Sequence, residues 1–106
     1  MRFGIFLDDE RDVEDVFWID YPESVSWQVV RTYNEFVSAV RENIEHPHLI
    51  SFDHDLQDFT LSGSERTGYD CVKFLVDYCI ENEKVLPECL YHTQNPVGKL
   101  NMQSYM

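Results

Sequence analysis

Two short acidic clusters carry the chemistry this chain could do: Asp8-Asp9-Glu10, and Asp53-His54-Asp55. Each directly follows an apolar run, Arg2–Leu7 in the first case and Leu49–Phe52 in the second. Carboxylates crowded at neighbouring strand ends repel one another, so a proton or a cation must neutralise them. Hard oxygen ligands with open water positions suit Mg²⁺ or Mn²⁺, which makes Asp8, Asp9, Asp53 and Asp55 the candidate metal ligands. The plainer reading is that these are solvated strand caps and turn formers. The matched position of the two clusters favours the metal or catalytic reading.

Histidine transfers protons near neutral pH, and two of the four histidines fall near these clusters. His54 lies between the two aspartates, and His92 ends a later apolar run, so His92, His54 and Asp53 are the candidate catalytic residues. Either histidine also reads as an ordinary hydrogen-bonded structural residue. His46 and His48 flank Pro47 in a connection and suggest no chemistry. In the segment His92-Thr93-Gln94-Asn95-Pro96-Val97-Gly98, Asn95 and Pro96 form an N-cap and first helical position. A helix N-terminus presents free N–H groups that suit phosphate, which brings in Asn95 and Gly98. Arg11 and Lys99 are scarce cations near the acidic clusters, and either suits a phosphate oxygen. Thr67-Gly68 opens another helix, where a glycine lets a ligand approach the backbone. Trp18 and Trp27 read as core or edge packing rather than as stacking platforms.

The elements that must position these residues follow from the hydrophobic pattern. Strand one is Arg2–Leu7, an unbroken apolar run of the kind covered on both faces. The acidic and aromatic stretch from Asp12 to Ser24 has no clear form beyond one helical turn. Strand two is expected at Ser26–Arg31. Thr32 and Glu35 make a capping-box pattern, and Phe36, Val37, Val40 and Ile44 continue it at helical spacing to about His46-Pro47. Strand three is Leu49–Phe52, followed by a polar loop from Gln57 to Arg66. A helix from Thr67-Gly68 presents Val72, Leu75, Val76 and Cys79 and ends near Asn82–Lys84. Strand four is Glu88–His92, and a final short helix follows. Strands alternating with helices predict an α/β domain with a parallel sheet. The order 2-1-3-4 puts strands one and three side by side where a ligand crevice forms.

The 106 residues suit one domain, and the net charge of −12 disfavours the backbone of a long duplex nucleic acid as partner. A small phosphorylated ligand carried with a divalent cation remains compatible. Three cysteines without a C-x-x-C pattern indicate buried thiols in a reducing cytoplasm rather than a disulfide framework. No run reaches the length of a signal peptide or a membrane span, so no membrane association is expected. The oligomeric state is open.

FLDDER at Phe6–Arg11, SFDHDL at Ser51–Leu56, TGYD at Thr67–Asp70 and HTQNPVGKLNM at His92–Met102 together resemble the cyclic-phosphate processing receiver-like domain family of bacteria and phages. The resemblance covers nearly the whole chain. It implies a receiver- or flavodoxin-like three-layer fold, here truncated before a fifth strand and its preceding lysine. It implies action on cyclic phosphates of nucleotides, RNA ends or NAD-derived metabolites. It also implies that Asp8 and Asp9 match a receiver's metal-binding acids and Asp53 its phospho-acceptor. Asp55, His54, His92 and Asn95 match residues that set the family apart from signalling receivers.

The leading expectation is a metal-assisted phosphodiesterase using Mg²⁺ or Mn²⁺ on a nucleotide or RNA-end ligand, with Asn95, Gly98, Arg11 and Thr67 toward the phosphate. The alternatives are a receiver-like module phosphorylated on Asp53, or a non-catalytic phage protein that binds a nucleotide or a host protein. Acetyl phosphate separates them: the signalling reading predicts an intact-mass gain of one phosphoryl group that Asp53→Asn abolishes, and the hydrolase reading predicts none.

Overall fold

The computed structural model describes residues 2–106. Four parallel strands form the main sheet: β1 (Arg2–Leu7), β2 (Val25–Val30), β3 (Leu49–Phe52) and β6 (Glu88–Tyr91), in the order β2-β1-β3-β6. This is the 2-1-3-4 order expected, with β6 as its fourth strand. Helices α1 (Tyr33–Glu42), α2 (Gly68–Glu81) and α3 (Pro96–Tyr105) connect or follow the strands. A small antiparallel pair, β4 (Asp58–Phe59) and β5 (Glu65–Arg66), occupies what the pattern alone reads as a loop. Its turn closes through Gly63 at φ +88°, a conformation that suits glycine.

Alternation along the strands assigns the two faces. Ile5, Leu7, Ile50 and Phe52 point to one side, where they form the core with Phe36, Val40, Cys71, Val72, Leu75 and Met102. All three helices therefore lie on this face. Burying large side chains such as Phe36 and Phe52 contributes about 1.5–3 kcal/mol each. The opposite face carries Gly4, Phe6, Leu49 and Ser51. The third layer over it is the irregular chain between β1 and β2, which holds one 3₁₀ turn at Val13–Asp15 and the aromatic residues Trp18 and Tyr21. Phe6 meets Tyr21 and Trp27 edge to face, each at 6.3 Å between centroids. Gly4 is needed beneath them, because a Cβ there would come within 2.9 Å of the Trp27 ring.

Helix starts follow their local signals. The Thr32 side chain accepts the Glu35 N–H, and the Asn95 side chain accepts the Gly98 N–H. The end of α1 does not follow the pattern. It stops at Glu42, short of the expected His46-Pro47, and Ile44 is fully exposed. Asn43 leaves the helix with an extended backbone, and its side-chain amide bonds the Ala39 carbonyl and the Gln28 side chain. A polar residue that caps the last turn thus overrides an apolar residue one position on. No helix among the described residues is long and apolar enough to cross a membrane.

One close approach ties the fold to the acidic clusters. A Cβ on Gly68 would lie 1.8 Å from the Asp53 carbonyl oxygen, and the Gly68 N–H donates to the His54 carbonyl at 2.8 Å. The glycine serves the chain's own backbone, letting α2 start against the tip of β3. Gly68→Ala should cost at least 2 kcal/mol, about the upper range for overpacking, read as a lower urea midpoint with an unchanged slope.

Candidate functional site

Strand register brings three candidate side chains to one point. Leu7, Phe52 and Tyr91 are paired across β1, β3 and β6, and the next residue on each strand is Asp8, Asp53 and His92. The ladder continues one step further through the backbone: the Asp53 N–H donates to the Leu7 carbonyl, and the His92 N–H to the Phe52 carbonyl. Since Leu7, Phe52 and Tyr91 face the helices, the following residues all face the aromatic layer. One ligand atom from each of Asp8, Asp53 and His92 lies within 4.8 Å of the others, and all three residues are buried.

Asp8 is surrounded by donors. Its Oδ1 accepts the N–H groups of Glu10 and Arg11, both at 2.9 Å, which turns the chain sharply at the end of β1. Its Oδ2 accepts His92 Nε2–H at 3.0 Å and faces the Arg11 guanidinium at 3.4 Å. Burial works against its charge, but the His92 bond and the two backbone N–H groups outweigh it and hold the carboxyl well below the usual range. Arg31 secures the same turn, its guanidinium donating to the Asp8 and Arg11 carbonyls and pairing with Asp12 at 2.6 Å.

Asp53 lacks such support. Its Oδ1 accepts the His54 N–H at 2.9 Å. Burial first, and then the negative charge of Asp8, push its pKa up to about 6. Asp9, partly exposed, is also raised by burial and by Asp8, but it stands outside the close group. An ionised Asp8 beside an under-compensated Asp53 is the donor set that a hard cation completes, so the residues present fit Mg²⁺ or Mn²⁺.

Two rings of aromatic and polar contacts hold His92. Its imidazole stacks on Phe6 with centroids 4.5 Å apart and planes 6° from parallel. Its Nδ1 bonds the Ser51 hydroxyl at 2.7 Å, and its carbonyl accepts the Trp18 indole N–H at 2.8 Å. Arg11 stacks over Trp18 at 5.2 Å and reaches the Gln94 side chain at 3.5 Å.

The remaining candidates form a second group on the helix side of the strand ends. His54 Nδ1 bonds Asp55 Oδ1 at 3.0 Å, and Asp55 Oδ2 accepts the Asn95 amide at 3.2 Å. The His54 bond, reinforced by Asn95, holds the Asp55 carboxyl below its ordinary value. Asp55 is 59% exposed and does not belong to the Asp8–Asp53–His92 group. The His54 ring packs against Gly98, where a Cβ would come within 2.4 Å, so Gly98 makes room for that ring while its N–H is taken by Asn95. Thr67 donates its N–H to Asp70 in the cap of α2. Ser51, Tyr21, Gln94 and Arg31 have no role in the sequence reading, which takes Trp18 for core or edge packing. Only Ser51 left a signal there, as the one polar residue in LISF.

A family model for the cyclic-phosphate processing receiver domain matches residues 3–106. The chain belongs to that family. Within this receiver domain the register-matched strand ends are those that carry Asp8, Asp53 and His92. No curated protein and no solved structure matches the chain.

Because burial raises Asp53, the folded protein holds its proton more tightly than the unfolded chain does. Asp53 therefore lowers stability as pH rises from about 4 through about 6, and the penalty is complete above that. The gap amounts to about 3 kcal/mol. In EDTA, Asp53→Asn should be more stable than the native protein at pH 7.5, by up to that amount, and equal to it near pH 4, measured by urea unfolding.

Proposed function

We propose that this receiver domain is a metal-assisted phosphodiesterase that opens a cyclic phosphate on a nucleotide or an RNA end. The observation that supports it most is the convergence of Asp8 and Asp53, buried and bound by strand register, in a family that processes cyclic phosphates. Asp8 and Asp53 would hold Mg²⁺ or Mn²⁺. The bound cation supplies Lewis acidity to the phosphoryl oxygens.

In hydrolysis a water oxygen bonds to phosphorus, one ring P–O bond breaks, and a proton moves from the water to the released ribose oxygen. His54 is suited to carry that proton. Asp55 is held as an anion and only accepts, so His54 Nδ1 carries the ring hydrogen and the lone pair is on Nε2, which has no partner among the described residues. Nε2 takes the proton from water and returns it to the leaving oxygen. His92 has both nitrogens engaged and is wholly buried, so its role is to orient Asp8. Arg11 beside Asp8, and the first turn of α3 opened by Pro96, would receive the non-bridging oxygens.

With Mg²⁺, the purified protein should hydrolyse a 2′,3′-cyclic nucleotide. His54→Ala should lower kcat by about 10²–10⁴-fold, the usual span for a general acid–base, with Mg²⁺ affinity unchanged. His92→Ala should instead weaken Mg²⁺ binding. Absence of turnover across a broad panel of cyclic phosphates would refute the assignment.

A further inference from the structure

The segment between β1 and β2 supplies more than cover for the sheet. Tyr21 OH lies 2.6 Å from Ser51 Oγ, Ser51 Oγ lies 2.7 Å from His92 Nδ1, and His92 Nε2 lies 3.0 Å from Asp8 Oδ2. Four side chains from four places in the sequence thus form one unbroken hydrogen-bonded line, from the aromatic layer to the carboxylate at the tip of β1. Ser51, His92 and Asp8 are buried, and no buried side-chain nitrogen or oxygen among the described residues lacks a partner.

Each link has a direction. An ionised carboxylate only accepts, so His92 Nε2 carries a hydrogen toward Asp8. In the neutral ring, Nδ1 then needs a donor, and the Ser51 hydroxyl is the group in reach. Once Ser51 has given its hydrogen to Nδ1, its oxygen accepts from Tyr21. The ring is also fixed in space: Phe6 stacks on its face, and the Trp18 indole holds the backbone carbonyl of the same residue. Trp18 and Tyr21 both belong to the segment between β1 and β2. Among the described residues, Tyr21 is the hydroxyl bonded to Ser51.

We infer that Tyr21 and Ser51 are positioning residues for the cation site, acting through His92 to keep its Nε2–H aimed at Asp8. The inference rests on the reading of Asp8 and Asp53 as cation ligands. Partners one contact removed from a metal ligand set both its orientation and its basicity. Ser51→Ala leaves Nδ1 without a donor and frees the ring to change tautomer or turn. Tyr21→Phe keeps the aromatic packing on Phe6 and Trp27 and removes only the hydroxyl at the far end.

The test pairs calorimetric titration of the full chain with Mg²⁺ and ¹⁵N spectra of the His92 ring, on the native protein, Ser51→Ala and Tyr21→Phe. The native ring should show one tautomer, protonated at Nε2. Ser51→Ala should lose that single tautomer and bind Mg²⁺ more weakly, by up to the about 10–100-fold typical of a partner bonded directly to a ligand. Tyr21→Phe should shift the Nδ1 resonance and weaken Mg²⁺ in the same direction by less. Native ring shifts and native Mg²⁺ affinity in both variants would overturn the inference. Should Ser51→Ala fail to fold, Tyr21→Phe decides alone. If the native protein itself binds no Mg²⁺, the cation site fails, and unchanged ring shifts in the variants would sink the relay separately.

Discussion

Two carboxylates on the tips of adjacent parallel strands, one residue beyond paired Leu7 and Phe52, set the terms for everything around them. They cannot both be charged and buried without compensation, and the chain compensates only one. Asp8 receives two backbone N–H groups, an imidazole N–H and a guanidinium, whereas Asp53 receives one backbone N–H. The resulting asymmetry leaves a place for positive charge on the Asp53 side, at the carboxyl edge of the sheet where open parallel folds bind ligands. On the proposed reading, stability is given up there to keep the site ready for a ligand.

The aromatic layer explains how a histidine is kept in such a place. In an all-parallel sheet both faces must be covered. The helices take one face, and the other is closed by Phe6, Tyr21 and Trp27 with the 3₁₀ turn beside them. This cover is rich in groups that are apolar on their faces and polar at one end, so it can pack against Phe6 and still bond the His92 carbonyl through Trp18 and the Ser51 hydroxyl through Tyr21. In the proposed reaction the proton-handling duty falls to His54, on the other side of the strand ends. There Asp55 and Asn95 orient the ring and Gly98 makes room for it.

Much of this was legible in the residues. The limits of β1 follow from its apolar run, the starts of α1 and α3 from Thr32 and from Asn95-Pro96, and the 2-1-3-4 order from alternating strands and helices. The meeting of Asp8 and Asp53 follows from that order. Tertiary contacts decide the rest. Asp55 is only two residues from Asp53, yet the strand has ended, so its carboxylate turns to His54 and Asn95 instead of sharing the buried group. The end of α1 depends on what the Asn43 side chain finds on β2, which no local pattern encodes. The β4–β5 pair is two residues long on each side, too short for alternation to show. Tyr21 and Ser51 are 30 residues apart in the chain, and nothing near either announces the other.

Diffraction from crystals grown with Mn²⁺, using the anomalous signal of the metal, locates the ion. A peak bonded to carboxylate oxygens of both Asp8 and Asp53 is expected. A peak at Asp55 alone, or none at neutral pH while the two carboxyl groups share a proton, would contradict that expectation.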